Sequence, residues 1–333
     1  MPAIERSRLT FALDSVDRLQ TLFPWATTTE TCVLLIAPTV QWVVNCRLAP
    51  SGMRPLAEGL RGLPVYEARA ETIRYGDERV PVAKLVSVLP ATADVPGLGG
   101  GASTLGPEAP WIIVSSLDAL IAFHPAFPEG THSEEWLAVF VHEFFHTRQL
   151  AQPGLAAVLP RLKSGQLDPN VLTKRFVEDE SYQSLVRQEY EWLAGAAARG
   201  TALGQLEAKA TLREWSAMYA KRRAALGDPA LMDTDEVFTY IEGTARYVES
   251  QFLARPELRA RETLSEDPRF NGFVEYSGKG YEGLFNRDLS RAYFYSLGMH
   301  LALVLDRAEP GWTRRVSDER GWIVGMAQAV AGR

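Results

Sequence analysis

Apolar and β-branched residues gather in short runs over the first third of the chain, then recur at helical spacing from about residue 131 onward. Cys32 to Ala37 and Val40 to Leu48, separated by Pro38-Thr39, predict a hairpin or two adjacent strands. Arg79 to Leu89 and Trp111 to Ser115 read as strands in the same way. Between these two, Asp94 to Pro110 is rich in Gly and Pro and carries Gly99-Gly100-Gly101, which predicts a mobile loop.

The helical pattern begins with a run towards Leu150 that stops before Pro153-Gly154. Ser133, or Thr131 with Glu134 three residues on, is positioned to cap it, and Glu134 and Glu135 suit its first turn. Further helices are predicted at 171–198, 203–226, 234–254, 288–307 and 318–331. The expected class is α+β, a β-rich N-terminal part (1–116) followed by a mostly helical, zincin-like part (117–333), with one continuous catalytic domain as the alternative.

Composition narrows the function. The chain has 333 residues, enough for a substantial core, and a net charge of -6. No basic run is interleaved with aromatics, so nucleic acid is not an expected partner. No apolar stretch reaches the length of a transmembrane helix. Met1-Pro2-Ala3-Ile4-Glu5-Arg6 lacks the layout of a signal peptide, so a soluble, cytoplasmic protein is expected. Cys32 and Cys46 are the only cysteines. They flank two strand-like runs, and the expected state is two reduced, buried thiols, with pairing reserved for an exported protein.

Residues 142–146 read His-Glu-Phe-Phe-His. Four positions apart on a helix is one turn on the same face, so His142 and His146 aim their imidazoles at one point. Glu143 sits beside that point, where it can take a proton from a water polarised by a metal without itself ligating. Only five histidines occur, at 124, 132, 142, 146 and 300, so the pattern is hard to obtain by accident. Zn2+ is the expected ion. A catalytic zinc usually has three protein ligands, and Thr147-Arg148-Gln149 offers no third histidine. A carboxylate from a later helix remains. Glu189 shares a face with Tyr182, Leu185, Val186 and Leu193; Glu242 shares one with Phe238, Ile241, Ala245 and Phe252. A carboxylate on an apolar face is costly unless it is neutralised, which a metal does.

The segment Glu242-Gly243-Thr244-Ala245-Arg246-Tyr247 resembles the Glu-Gly-x-Ala-x-Tyr stretch of gluzincin aminopeptidases of the aminopeptidase N type. The resemblance implies that Glu242 is the third zinc ligand. Tyr295-Ser296-Leu297-Gly298 is similar to the same family's Tyr-x-x-Gly element, which implies that Tyr295 hydrogen-bonds the oxyanion. Together the three pieces imply a zinc metallopeptidase acting on a peptide or protein. Glu242 lies farther from His146 than the family's ligand does, with room for about two extra helices. The family's upstream acidic motif for a free amine is missing, so the resemblance implies peptidase chemistry and not aminopeptidase specificity.

Other features read more plainly. Glu189 is expected to hold a zinc ligand or an arginine. His300, five positions from Tyr295 and so about 140° around a helix, reads as a buried structural histidine. Arg246 suits an intrahelical pair with Glu242 or Glu249. Gly278-Lys279-Gly280 lacks the spacing of a phosphate loop and predicts a flexible loop near Tyr281. Trp111 to Ser115 reads either as an edge strand for an extended peptide or as an interior core strand. Two alternatives to a peptidase stay open: hydrolysis of a non-peptide amide or ester, and a zinc-braced interaction protein without turnover.

Overall fold

A computed structural model describes residues 1–24, 26, 31–46, 53–69, 72–75, 78–81, 87–89, 111–123, 129–150, 152–261, 264–273, 292–316 and 322–333. The segments read as loops at 94–110 and around Lys279 and Tyr281, and His124, lie outside the described residues. The class is α+β: a mixed sheet in the N-terminal part and a mostly helical C-terminal part.

The chain forms two compact units. The first comprises Met1–Thr21, Ala26–Arg148 and Phe252–Gly278, and the second Leu22–Trp25, Gln149–Gln251 and Lys279–Arg333. The HExxH helix, through Arg148, falls in the first unit with the sheet.

In the first unit a six-stranded sheet has the order β3-β4-β2-β1-β8-β7, with β1 Cys32–Ile36, β2 Val40–Val44, β3 Arg54–Pro55, β4 Tyr66–Arg69, β7 Ser87–Leu89 and β8 Trp111–Ser115. A separate hairpin pairs β5 Thr72–Tyr75 with β6 Glu78–Pro81. β1 runs antiparallel to β2 and parallel to β8. Its Cys-Val-Leu-Leu-Ile run is buried throughout rather than alternating, as expected for a strand covered on both faces. β8 lies between β1 and β7, so the interior reading of Trp111–Ser115 holds and the edge reading does not.

The cysteines also depart from expectation. Cys32 and Cys46 form a disulfide across the β1–β2 hairpin, with Cα atoms 5.0 Å apart. The register pairs Val33 with Val44, and Asn45 then takes a left-handed φ of 58°. Its amide donates to the Thr31 carbonyl at 2.8 Å. This bend lies between β2 and Cys46, at the open end of the hairpin where Cys32 begins β1. Spacing alone does not reveal such a bend.

Helix α1 (Ala3–Val16) was not legible as an element: it buries Leu9, Phe11, Ala12, Leu13 and Val16 together with Glu5, Arg8 and Ser15, so no clean apolar stripe marks it. The Arg8 guanidinium donates to both oxygens of Asp267, at 2.7 and 2.8 Å, and to Glu5 at 3.0 Å. Ser133, which opens α3 (Ser133–Leu150), donates its hydroxyl to Asp267 at 2.6 Å. The same hydroxyl oxygen accepts from Arg8 Nε at 3.1 Å. At the helix start Glu135 accepts the His132 backbone N–H at 3.1 Å. Short α2 (Leu117–Phe123) follows β8, and Trp136 of α3 donates to the Ser115 carbonyl at 2.8 Å, tying the helix to the strand end.

The second unit is helical: α4 Pro153–Ala156, α5 Leu159–Lys163, α6 Pro169–Glu178, α7 Glu180–Ala197, α8 Gln205–Leu226, most of α9 Pro229–Ala254, then α10 Tyr293–Ala308 and α11 Trp322–Ala331. The single helix expected over 171–198 is broken at Asp179, whose extended backbone and carboxylate cap α7 by accepting the Tyr182 N–H at 3.0 Å. α8 ends on Gly227 at φ 69°, a left-handed cap. Among the described residues no helix is long and apolar enough to cross a membrane.

Candidate metal centre

Helix α3 carries His142 and His146 one turn apart, both buried, with Glu143 half-buried beside them. Their Nε2 atoms are 3.0 Å apart and the rings are almost perpendicular, at 89°. Two ligands each about 2.0–2.1 Å from a tetrahedral zinc are separated by about 3.3 Å, so this pair fits one ion. Without a metal the same approach suits an N–H···N bond between the rings.

The half-buried Glu242 of α9 completes the group: one ligand atom from each of His142, His146 and Glu242 lies within 4.8 Å of the others. Two imidazole nitrogens and one carboxylate oxygen are donors that a divalent metal ion accepts. These three residues can hold a metal ion. Among the described residues no other group of histidines, cysteines and carboxylates meets this geometry.

The other carboxylate, Glu189, lies elsewhere in the bundle. It is buried and accepts from Arg222 Nε at 2.7 Å. Arg222 also pairs with Asp235, which accepts from the Tyr293 hydroxyl at 2.6 Å, and that hydroxyl meets Tyr182 at 2.7 Å. Burial raises the Glu189 carboxyl above its usual range, and Arg222 opposes the shift. It holds an arginine, one of the roles the sequence left open to it beside that of third ligand.

Tyr295 sits near the start of α10, half-buried, with the Arg246 guanidinium 5.0 Å from its ring centre and Phe294 stacked at 5.4 Å. Arg246 reaches Glu249 at 3.5 Å, the expected pair within the helix. His300 is buried, its Nδ1 2.8 Å from the Ser296 carbonyl and its ring edge-on to Tyr190, as a structural histidine should be. Arg148, close after the second histidine, is buried over Phe144 at 4.8 Å. Burial lowers its guanidinium to about 10, still charged at neutral pH.

One participant escaped the sequence reading. Gln149, three positions past His146, is buried and reaches α9. The available signal was a polar residue less than one turn past His146, on a helix that carries several others, which is a weak one.

No protein-family model matches the chain, and no curated protein and no solved structure matches it.

Proposed function

We propose that the chain is a zinc metallopeptidase of the HExxH class, gluzincin-like in its ligand set, acting on a peptide or protein. One observation carries this reading: the ligand atoms of His142, His146 and Glu242 converge within 4.8 Å. Zinc held by His142, His146 and Glu242 would polarise a water and the scissile carbonyl. Glu143, next to His142 on the same helix, takes the proton from that water and delivers it to the leaving amine. The Tyr295 hydroxyl donates to the oxygen that becomes negative, and Arg246 over its ring holds the phenol in one orientation.

The test begins with metal content by mass spectrometry. About one zinc per chain is expected in wild type, lost in Glu242→Ala and kept in Glu189→Ala. A peptide library is then offered to wild type and to Glu143→Gln. Cleavage by wild type alone supports the peptidase. Cleavage confined to small amides or esters moves the substrate class, and metal uptake with no turnover makes the zinc a brace. No metal after zinc is supplied sinks the reading.

The cytoplasmic location expected from the N-terminus stands against the Cys32–Cys46 disulfide, which persists in oxidising compartments. We favour the latter setting, and a thiol count on protein from its natural source decides.

A further inference from the structure

Glu242 is borne on a helix surface, so its carboxylate is only as well aimed as α9 is held. The hold comes from α3 itself. The Gln149 carboxamide nitrogen donates to the Ile241 carbonyl at 3.0 Å and to the Thr244 hydroxyl oxygen at 2.6 Å. A carboxamide has two N–H protons, and these are its two shortest acceptors, the Tyr240 carbonyl lying farther off at 3.5 Å. The Thr244 hydroxyl in turn donates to the Tyr240 carbonyl at 2.6 Å, so its proton is also engaged. The Tyr240 hydroxyl donates to the Gln152 side-chain oxygen, a second tie in the same place. Gln149, Thr244, Tyr240 and Gln152 are all buried.

The position of these bonds is what gives them a role at the site. Ile241 and Thr244 bracket Glu242 along α9, and Gln149 follows His146 by less than a turn of α3. A one-residue slip or a rotation of α9 would break both Gln149 bonds and leave buried donors without acceptors, which is costly. We propose that Gln149 and Thr244 are positioning residues that fix the register of α9 on α3, and with it the reach of Glu242 to the ion held by the two histidines. Neither touches the metal or the substrate. The proposal rests on the metal-centre reading, and it assigns the third ligand's placement to a hydrogen-bonded clamp rather than to apolar packing alone.

The experiment measures zinc affinity by chelator competition, and the visible absorption of the cobalt-substituted protein, in Thr244→Val, Thr244→Ser and Gln149→Leu. Thr244→Val keeps the shape and removes the hydroxyl; Thr244→Ser keeps the hydroxyl. Tyr182→Phe, which removes the buried Tyr182–Tyr293 hydrogen bond away from the metal ligands, is the control for lost stability. Outer partners of metal ligands typically contribute about 10–100-fold in affinity, and a loss of that size with an altered cobalt spectrum is expected in Thr244→Val and Gln149→Leu. Thr244→Ser should restore both. Wild-type affinity and spectrum in Thr244→Val overturn the clamp, as does a loss no larger than that of Tyr182→Phe at matched melting temperature. If Gln149→Leu does not fold, the two Thr244 variants decide alone. A wild type that takes up no zinc overturns the metal centre and the clamp together, and so differs from failure of the clamp alone.

Discussion

Gly243 and Gly298 meet backbone against backbone where α9 and α10 cross. A Cβ added to Gly298 would fall 2.6 Å from the Gly243 Cα, and one added to Gly243 would fall 2.9 Å from the Gly298 carbonyl carbon. Both glycines belong to the short motifs that resemble the gluzincin pattern, one directly after Glu242 and the other three after Tyr295. The contact gives those motifs a physical reason to share a chain: it brings two helices close enough for their neighbouring side chains to work together.

Gly298→Ala should therefore force the helices apart. Overpacking of this kind costs about 1–3 kcal/mol, read as a lower midpoint in chemical denaturation. Zinc retention against a chelator should fall with it, since Glu242 adjoins the contact. An unchanged midpoint would mean that the crossing relaxes freely.

Tyr295→Phe removes a hydroxyl and little else. Loss of one oxyanion donor typically lowers kcat by about 10²–10³. KM should stay close to wild type, because the donor acts on charge that develops only during reaction. Steady-state kinetics on the best peptide found in the library decide it, and an unchanged kcat removes Tyr295 from the site.

Glu189→Ala should leave zinc content intact and still damage the protein. It strips one partner from a buried arginine, which typically costs about 3–5 kcal/mol. Denaturant titration beside metal analysis separates the two effects. Loss of zinc in this variant, with Glu242→Ala retaining it, would transfer the third ligand.

The pH dependence of stability has a contribution from Glu5. Burial lifts its carboxyl from 4.5 to about 7; Arg8 pulls it back only in part, and Asp118 and Asp267 add to the rise. A carboxyl raised on folding binds its proton more tightly in the native state. The associated stability is thus fully present below about 4.5 and is lost as pH rises through about 7. The full difference is on the order of 3 kcal/mol. Glu5→Gln should melt higher than wild type at pH 8 and close to it at pH 4.5. The same gap at both values would refute the assignment.

Thiol titration of the unfolded, unreduced protein should find no free thiol, and two after reduction. Reduction should destabilise by about 3 kcal/mol, given the short loop that the bond closes. Two free thiols at the outset would return Cys32 and Cys46 to the reduced state expected from the sequence.

The parts legible in the sequence were those written in local pattern. The His142–His146 spacing, the apolar run of β8, and the long periodic helices ending at Leu226, Ala254 and Ala308 all follow from neighbours a few residues apart. Glu242 and Glu189 were both candidates by helix face, and the resemblance pointed to Glu242, whose ligand atom lies within 4.8 Å of those of the two histidines. What escaped depends on distant partners. α1 carries charges on its buried side because Asp267 is there to meet Arg8. The short strands β3, β4 and β5 take their character from their neighbours, and the left-handed Asn45 that precedes Cys46 leaves no periodic mark. Gln149 looks like any polar helix residue until Ile241 and Thr244 arrive beside it.

The Arg8–Asp267 pair bears on the order in which the molecule can assemble. Its members are 259 positions apart, and Ser133, the first residue of the HExxH helix, waits 134 positions for the same carboxylate. At about 5–20 residues per second, a ribosome delivers Asp267 many seconds after it has finished α1 and α3. Until then Arg8 and Ser133 lack their anchor, and the strands already made are exposed to wrong pairings. Contacts of such long range make for slow closure of the first unit. A chain released before residue 267 would carry both histidines and Glu242 but lack the anchor at the start of the histidines' helix.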